Sequence, residues 1–248
     1  YELSGGTWSQ LGSDIDGEFA NDYSGYSVSL SSDGTRVAIG APYNDGNGNA
    51  SGHVRVYEFS GGTWSQLGSD IDGEAAVDFS GGSVSLNSDG SRVAIGAYGN
   101  DDNGNASGHV RVYEFSGGTW SQLGSDIDGE AADDYSGHSV SLSSDGTRVA
   151  IGAAYNDGNG SDAGHVRVYE FSGGTWNQLG SDIDGEAAND NSGRSVSLSS
   201  DGTRVAIGAA YNDGNGNNAG HVRLYSIVYQ APAPVVVPTA KTNAGSFN

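Results

Sequence analysis

The chain contains no cysteine and no methionine, and only 10 of its 248 residues are lysine or arginine. Without cysteine it can form neither a disulfide framework nor a zinc–thiolate site, and it has no thiol nucleophile. Its 31 aspartates and glutamates give a formal charge of −21 and a pI near 4.1. Because so acidic a surface repels nucleic acids and anionic membranes, we expect neither as a partner.

Long apolar stretches are absent as well. Glycine or a charged residue interrupts each one well before the roughly 18 residues that a membrane-spanning helix needs, so we expect no membrane insertion. The N-terminal residues show no charged and then apolar leader. We therefore expect a processed or fragmentary product whose targeting signal lies outside this sequence.

The dominant feature of the sequence is a repeat of 56 residues. The string Thr-Trp-(Ser/Asn)-Gln-Leu-Gly-Ser-Asp-Ile-Asp-Gly-Glu starts at Thr7, Thr63, Thr119 and Thr175. Ser-Val-Ser-Leu, Arg-Val-Ala-Ile-Gly and Gly-His-Val-Arg recur at the same interval, so every copy occupies an equivalent environment. We assign residues 1–225 to the repeats, and residues 226–248, rich in Pro, Ala and Val, to a C-terminal tail or linker.

Within one repeat the apolar residues alternate with period two, as in Ser27 to Leu30, which predicts strands. Asp33-Gly34 between two such runs predicts a tight type I′ hairpin. With the turn at 60–62, each repeat supplies four antiparallel strands, which is the composition of one propeller blade. We predict an all-β fold, a β-propeller of four blades with four antiparallel strands each.

The alternation also predicts how neighbouring blades pack and how the ring closes. One bulky face is expected to combine Val28, Leu30, Val37, Ile39, Val54 and Val56. The orphan strand at Trp8–Leu11 is expected to pair with His221–Tyr225 and complete the fourth blade. Because residues 1–3 copy residues 57–59 apart from Leu3, two alternatives stay open: lost upstream blades, or an eight-bladed ring of two chains. A monomer is favoured, although the sequence does not determine the oligomeric state.

Two short motifs resemble the FG-GAP repeats of integrin α-chain propellers and their bacterial relatives. They are Ser24-Gly25-Tyr26-Ser27-Val28 and Ile39-Gly40-Ala41-Pro42. The resemblance implies a propeller that binds or adheres to a partner, extracellular or at the cell surface. Family members often carry a calcium-binding Asp-x-Asp-x-Asp-Gly hairpin, but this hairpin is Ser31-Ser32-Asp33-Gly34, so that metal site does not carry over.

Acidic residues concentrate in two sets of loops that a propeller places on one face. These loops hold 23 of the 31 acids, which indicates either a solvated face or a surface for cations and basic ligands. Within the loop from the second to the third strand, oxygen-bearing side chains at positions 1, 3 and 5 suit calcium. The sequence thus offers Ca²⁺ as a candidate cofactor, with Asn-Gly turn chemistry as the alternative. The four sets are Asp45, Asn47 and Asn49; Asp101, Asn103 and Asn105; Asp157, Asn159 and Ser161; and Asp213, Asn215 and Asn217.

Variation between the copies marks a second candidate site. The residue before Ser-Val-Ser-Leu changes from Tyr26 to Gly82, His138 and Arg194, and these four are expected to surround the mouth of the channel as ligand-binding residues. The four strand-opening histidines, at His53 and its equivalents, recur with the blade, which favours a structural role. We therefore predict no enzyme, but a module that binds a protein through the acidic face. The alternatives are a multivalent carbohydrate binder and a structural scaffold.

Overall fold

The computed structural model describes residues 2–227, and all of its regular secondary structure is β-strand. No helix occurs in this range, so none there is long and apolar enough to cross a membrane. The predicted tail lies outside the described residues except for Ser226 and Ile227, and Ser226 still pairs with Arg204.

The strands follow the repeats. An N-terminal hairpin comprises β1 (Glu2–Ser4) and β2 (Thr7–Ser9). The first repeat contains β3 (Ser27–Leu30), β4 (Arg36–Ala41), β5 (His53–Ser60), β6 (Thr63–Gln66) and β7 (Ile71–Asp72). The second contains β8 (Ser83–Leu86), β9 (Arg92–Ala97), β10 (His109–Ser116), β11 (Thr119–Gln122) and β12 (Ile127–Asp128). The third contains β13 (Ser136–Leu142), β14 (Arg148–Ala153), β15 (His165–Ser172), β16 (Thr175–Gln178) and β17 (Ile183–Asp184). The fourth contains β18 (Ser192–Leu198), β19 (Arg204–Ala209) and β20 (His221–Ser226).

Each of the first three repeats folds as one antiparallel sheet. Its strand order in the first repeat is β3-β4-β5-β6, and the short β7 pairs with the other end of β5. The second and third repeats have the same order, and the fourth has three strands, β18-β19-β20. The predicted all-β propeller architecture of repeated four-stranded blades is confirmed.

The first hairpin turn differs from the predicted type I′ turn. Gly34 N donates to Ser31 O, and among the turn residues only Gly34 has a positive φ, of 70°. A type I′ turn requires a positive φ at both central residues. Asp33 instead caps the turn by accepting hydrogen bonds from the amide and hydroxyl of Thr35, at 2.9 and 2.8 Å. The turn is therefore held by the backbone bond from Gly34 to Ser31 and by the side-chain bonds of Asp33 to Thr35.

The residues predicted to share one bulky face lie on both faces of the sheet. In the β4–β5 register Ala38 lies opposite Val56 and Ile39 lies opposite Arg55, so Val56 and Ile39 point to opposite faces. Ala38, Val54 and Val56 of one blade pack on Val84, Leu86, Val93 and Ile95 of the next, and the same core recurs between the later blades. Alternation determines which residues of one strand share a face. It does not determine which face the residues of the next strand occupy after a long loop.

The tryptophans also link successive repeats. Trp120 Nε1 donates to Leu67 O at 2.7 Å, and Trp176 Nε1 makes the same bond to Leu123 O at 2.7 Å. Each indole therefore donates to the carbonyl of the leucine that directly follows the fourth strand of the preceding repeat. Its ring packs on the core between the blades. One bond of this type recurs per described repeat interface.

The N-terminal strand pairs differently from the prediction. Leu3 of β1 lies opposite Trp8 of β2, as Phe59 lies opposite Trp64 in the β5–β6 hairpin. Residues 2–9 copy residues 58–65 apart from Leu3, so this segment forms the same local hairpin. The local partner is favoured because closing a short loop costs less entropy than reaching β20.

The two end sheets each leave an apolar face exposed within residues 2–227. Val28 and Leu30 of the first sheet are 64% and 61% exposed, and Val222 and Leu224 of the fourth are 64% and 72% exposed. Val110 and Val112, the equivalents of Val222 and Leu224 at an inner interface, are 0% and 1% exposed. Each end face therefore has the residues that pack against a neighbouring blade elsewhere, but within residues 2–227 no blade packs on it.

Candidate functional site

Loops from adjacent repeats meet at one end of the sheets. Asn47 Nδ2 donates to Gly73 O and Glu74 O, at 2.9 and 3.0 Å, and Val77 N donates to Asn49 O at 2.8 Å. The loop after β4 is thereby fixed against the loop before β8. Together these loops hold 23 of the 31 acids, and we call their combined surface the acidic loop face. It comprises residues 12–26, 42–52, 68–82, 98–108, 124–138, 154–164, 180–194 and 210–220.

Some of these acids are structural. Asp22 is buried, and its Oδ2 accepts from Asn44 Nδ2 at 2.9 Å and from Phe19 N at 3.2 Å. Asp134 and Asp190 make the same pair of bonds in the later repeats. These carboxylates shape the loops from inside, which leaves the exposed acids to set the charge of the face.

The predicted calcium loops use their polar groups in protein hydrogen bonds. Asp45 Oδ1 accepts from Ala50 N at 2.8 Å, while the amide of Asn47 is directed to the neighbouring loop. Asp101, Asp157 and Asp213 accept the equivalent amide, and Asn103 and Asn159 bond the equivalent neighbouring carbonyl. The side chain at position 1 thus bonds an amide of its own loop, and the side chain at position 3 bonds a carbonyl of the next loop. The alternative of Asn-Gly turn chemistry expects such bonds within the protein. Calcium binding by these loops stays a prediction.

A row of aromatic rings crosses the acidic loop face from blade to blade. Successive ring centroids lie 5.0 to 6.3 Å apart, within the range of favourable aromatic pairs. The order is Tyr23, Tyr43, Phe79, Tyr98, Tyr135 and Tyr155. We call these six residues the aromatic row. Tyr23 is 62% exposed, so the row is open to solvent at its first end.

Three of the four predicted ligand residues lie together beside this row. Tyr26, Gly82 and His138 line one cavity of about 480 Å³, and the other lining residues are Tyr98, Tyr135 and Tyr155. Arg194 lies at the fourth-blade end, where its guanidinium stacks over Tyr211 at 5.5 Å. Burial, and next the charge of Arg194, lower the pKa of His138, so the imidazole in the cavity stays neutral near pH 7.

Gly82 belongs to the cavity because Tyr98 fills the space of a side chain there. A Cβ at Gly82 would lie 2.5 Å from the Tyr98 ring. In the other repeats the position of Tyr98 is Pro42, Ala154 or Ala210, and the tyrosine comes one residue later. Burial and the phenols of Tyr26 and Tyr43 raise the pKa of Tyr98, which stays a neutral hydroxyl. The second repeat therefore makes the cavity asymmetric.

Sequence reasoning missed Tyr98, Tyr135 and Tyr155. The displaced tyrosine of the second repeat was the visible signal. Tyr135 has a left-handed backbone, with φ 54°, as do Tyr23 and Phe79. Val77 in the same loop has φ 72°, which for a β-branched residue is a true outlier. Such strain costs on the order of 1–3 kcal/mol and concentrates at functional sites.

Three segments of the chain match a known repeat family. The FG-GAP repeat matches residues 15–57, 126–169 and 183–225, which together make up just over half of the chain. The chain belongs to the FG-GAP repeat family. The resemblance carried by the two short motifs is thereby confirmed. No curated protein matches the chain.

Solved structures share the fold of this FG-GAP chain. Kuenenia stuttgartiensis hydrazine synthase matches with a TM-score of 0.54 and 13% identity, over 89% of this chain and 50% of that chain. Pseudomonas aeruginosa periplasmic gluconolactonase PpgL matches with a TM-score of 0.53 and 15% identity, over 84% of this chain and 58% of that chain. At these identities the likeness shows the fold alone.

The prediction that this FG-GAP protein is not an enzyme was wrong. Both structures with the shared fold carry the names of enzymes, a synthase and a lactonase, so the architecture is compatible with catalysis. The prediction argued that the strand-opening histidines, at His53 and its equivalents, recur with the blade instead of marking one asymmetric site. The structure has an asymmetric cavity elsewhere, because Gly82 and Tyr98 are substitutions in a single repeat. The likeness assigns no reaction to this chain.

Proposed function

We propose that this FG-GAP chain is a binding module that takes a lysine- or arginine-rich segment of a protein across its acidic loop face. The observation that carries the proposal is the aromatic row, which lies among loops holding 23 of the 31 acids. Exposed aromatics within a surface of one charge recognise cations through ring faces and through long-range attraction together.

The dimensions of the site support a side chain as the anchoring group. The cavity of about 480 Å³ lies within the range of small-ligand pockets and is lined by four tyrosine rings. Tyrosine is enriched among the residues that contribute most to protein interfaces. The exposed acids on the same loops, such as Asp45, Asp101 and Asp157, would steer a basic partner towards the cavity.

Arg194 sets the direction in which such a ligand lies. Its guanidinium at the fourth-blade end repels a second cation, and no other arginine or lysine stands on the acidic loop face as defined by its residues. A basic segment would therefore extend from the cavity towards the first blade, where Tyr23 and Tyr43 are exposed.

Carbohydrate binding is the second candidate. The six residues that line the cavity include four tyrosines and no carboxylate, and sugar rings stack on such neutral aromatic walls. The two candidates differ in their dependence on salt. Attraction between a basic peptide and exposed acids weakens as the Debye length shortens, whereas stacking of a neutral sugar does not.

Fluorescence anisotropy with labelled lysine- and arginine-rich peptides tests the proposal, with sequence-matched acidic peptides as controls. We expect binding that weakens from low to high salt, and Tyr26→Ala should weaken it at least about tenfold, or about 1.4 kcal/mol. Trp8→Ala is the matched control, because Trp8 is 64% exposed but, unlike Tyr26, does not line the cavity.

Absence of peptide binding at low salt would overturn the proposal, as would equal effects of Tyr26→Ala and Trp8→Ala. Binding on a glycan array that is insensitive to salt and lost in Tyr26→Ala would instead establish the carbohydrate candidate.

A further inference from the structure

A cluster of possible metal ligands surrounds the first residue of β10. His109 Nδ1 lies 3.9 Å from Glu74 Oε2 and 3.9 Å from Asp102 Oδ2. One carboxylate oxygen of Asp126 joins them, and the four ligand atoms all lie within 4.8 Å of one another. The residues come from three loops and one strand, and hydrogen bonds tie the loop of Asp102 to both neighbouring loops.

The histidine of this cluster is buried without a hydrogen-bond partner. Its relative exposure is 0%, and among residues 2–227 neither Nδ1 nor Nε2 has a partner. Burying an imidazole nitrogen without a partner costs free energy, and native proteins rarely accept that cost without a compensating ligand. Nδ1 is the atom nearest to the carboxylates of Glu74 and Asp102 in these pairs, so an unpaired nitrogen faces the cluster.

Too few positively charged groups lie near these carboxylates to balance their negative charge. Arg111 NH1 lies 3.3 Å from Glu74 Oε1 and is the one ion-pair partner that the described residues give to Glu74 besides His109. Three acids around one arginine and one buried imidazole leave a net negative cluster whose ligand atoms lie within 4.8 Å of one another.

We propose that Glu74, Asp102, His109 and Asp126 bind one first-row divalent transition-metal ion, with Zn²⁺ as the representative. An imidazole nitrogen with carboxylate oxygens is a ligand set for such ions, whereas calcium takes oxygen ligands alone. In a tetrahedral zinc site neighbouring ligand atoms lie roughly 3.3 Å apart, so the 3.9 Å separations, and those of up to 4.8 Å, contract when the ion binds. Asp102 lies within the second predicted calcium loop, but the site shares no residue with the predicted calcium ligands or with the lining of the aromatic cavity.

The second repeat is the one that offers four ligands. Its equivalents in the first and third repeats are Glu18, His53 and Asp70, and Glu130, His165 and Asp182. Asp102 has no counterpart there, because glycine stands at its position in the other copies, as Gly46, Gly158 and Gly214. The three-ligand sites should bind the same ion more weakly, so one tight site per chain is expected.

Calorimetric titration of the full metal-free chain with Zn²⁺ tests this site. Asp102→Gly is the informative variant, since glycine is the residue the other repeats carry and the fold should be kept. We expect one tight site in the parent chain, at least about tenfold weaker binding in Asp102→Gly, and no displacement by excess Ca²⁺.

Asp162→Asn is the matched control, because it removes one acid from the same face and the fourth repeat has Asn218 there. It should change Zn²⁺ affinity less than twofold. Asp126→Asn provides a second test, and circular dichroism of each metal-free variant checks the fold. Equal Zn²⁺ affinity in the parent chain and Asp102→Gly, or equal losses in Asp102→Gly and Asp162→Asn, would overturn the proposal.

Discussion

Two equivalent valines test how the blades pack. Val110 and Val222 occupy the same position of the second and fourth sheets. Val110 is 0% exposed and lies in the core between the second and third blades, whereas Val222 is 64% exposed. Replacing each with alanine is the same chemical change in two environments, so the difference in unfolding free energy measures the covering blade.

The expected magnitudes follow from this difference in burial. Val→Ala removes two methyl-sized groups at about 0.8 kcal/mol each and leaves a cavity, so Val110→Ala should cost about 2–3 kcal/mol. Val222 retains only about a third of that burial and encloses no cavity, so its substitution should cost about 0.5 kcal/mol. For a chain of this size these costs lower Tm by about 5–10 °C and by about 1–2 °C.

Urea unfolding and thermal melts of the two variants, followed by circular dichroism, give both values. If Val222→Ala destabilises the chain as much as Val110→Ala does, the apolar face of the fourth sheet is covered in solution. That result would contradict the claim that this end face is exposed. Val166→Ala, at a second inner interface, should reproduce the larger loss because Val166 is also 0% exposed.

Three further outcomes are expected. Val77→Asn should raise the unfolding free energy by about 1 kcal/mol because it relieves a left-handed β-branched backbone, and an unchanged urea midpoint would show that Val77 is not strained. Trp120→Phe should cost about 1–2 kcal/mol by leaving Leu67 O without its donor, while Trp8→Phe on the exposed hairpin should cost almost nothing in the same melts. Because burial lowers the pKa of His138 below its usual 6.5, the unfolded chain binds the proton more readily; stability from this group is present above pH 6.5 and lost as pH falls below it. His138→Tyr should therefore flatten the fall of Tm between neutral and mildly acidic pH, and an unchanged slope would contradict the assignment.

The blades could be predicted from the sequence because each level of pattern agrees. Alternation in Ser27 to Leu30 predicts a strand, the Asp33-Gly34 pair predicts the turn that follows, and the 56-residue interval repeats the unit. Each strand buries its own alternate residues, so local pattern and tertiary contact require the same structure. The cluster of Tyr26, Gly82 and His138 could be predicted for the same reason, because equivalent positions in packed repeats become neighbours.

The remaining features depend on geometry that the pattern does not encode. The faces of Ile39 and Val56 depend on the register across a long loop, and one residue of shift reverses them. The cavity depends on Tyr98, whose position shows no alternation, and on left-handed backbone at Tyr135. The ligand cluster at His109 unites three loops that only the folded chain brings together.

Tyrosine-selective NMR of the labelled chain, titrated with a lysine- and arginine-rich peptide at low salt, tests the central claim most directly. The account predicts shifts at Tyr26, Tyr98 and Tyr155, which line the cavity. Tyr113 and Tyr169 should keep their positions, because they are buried between blades. Shifts spread equally over both groups, or none at saturating peptide, would contradict the account.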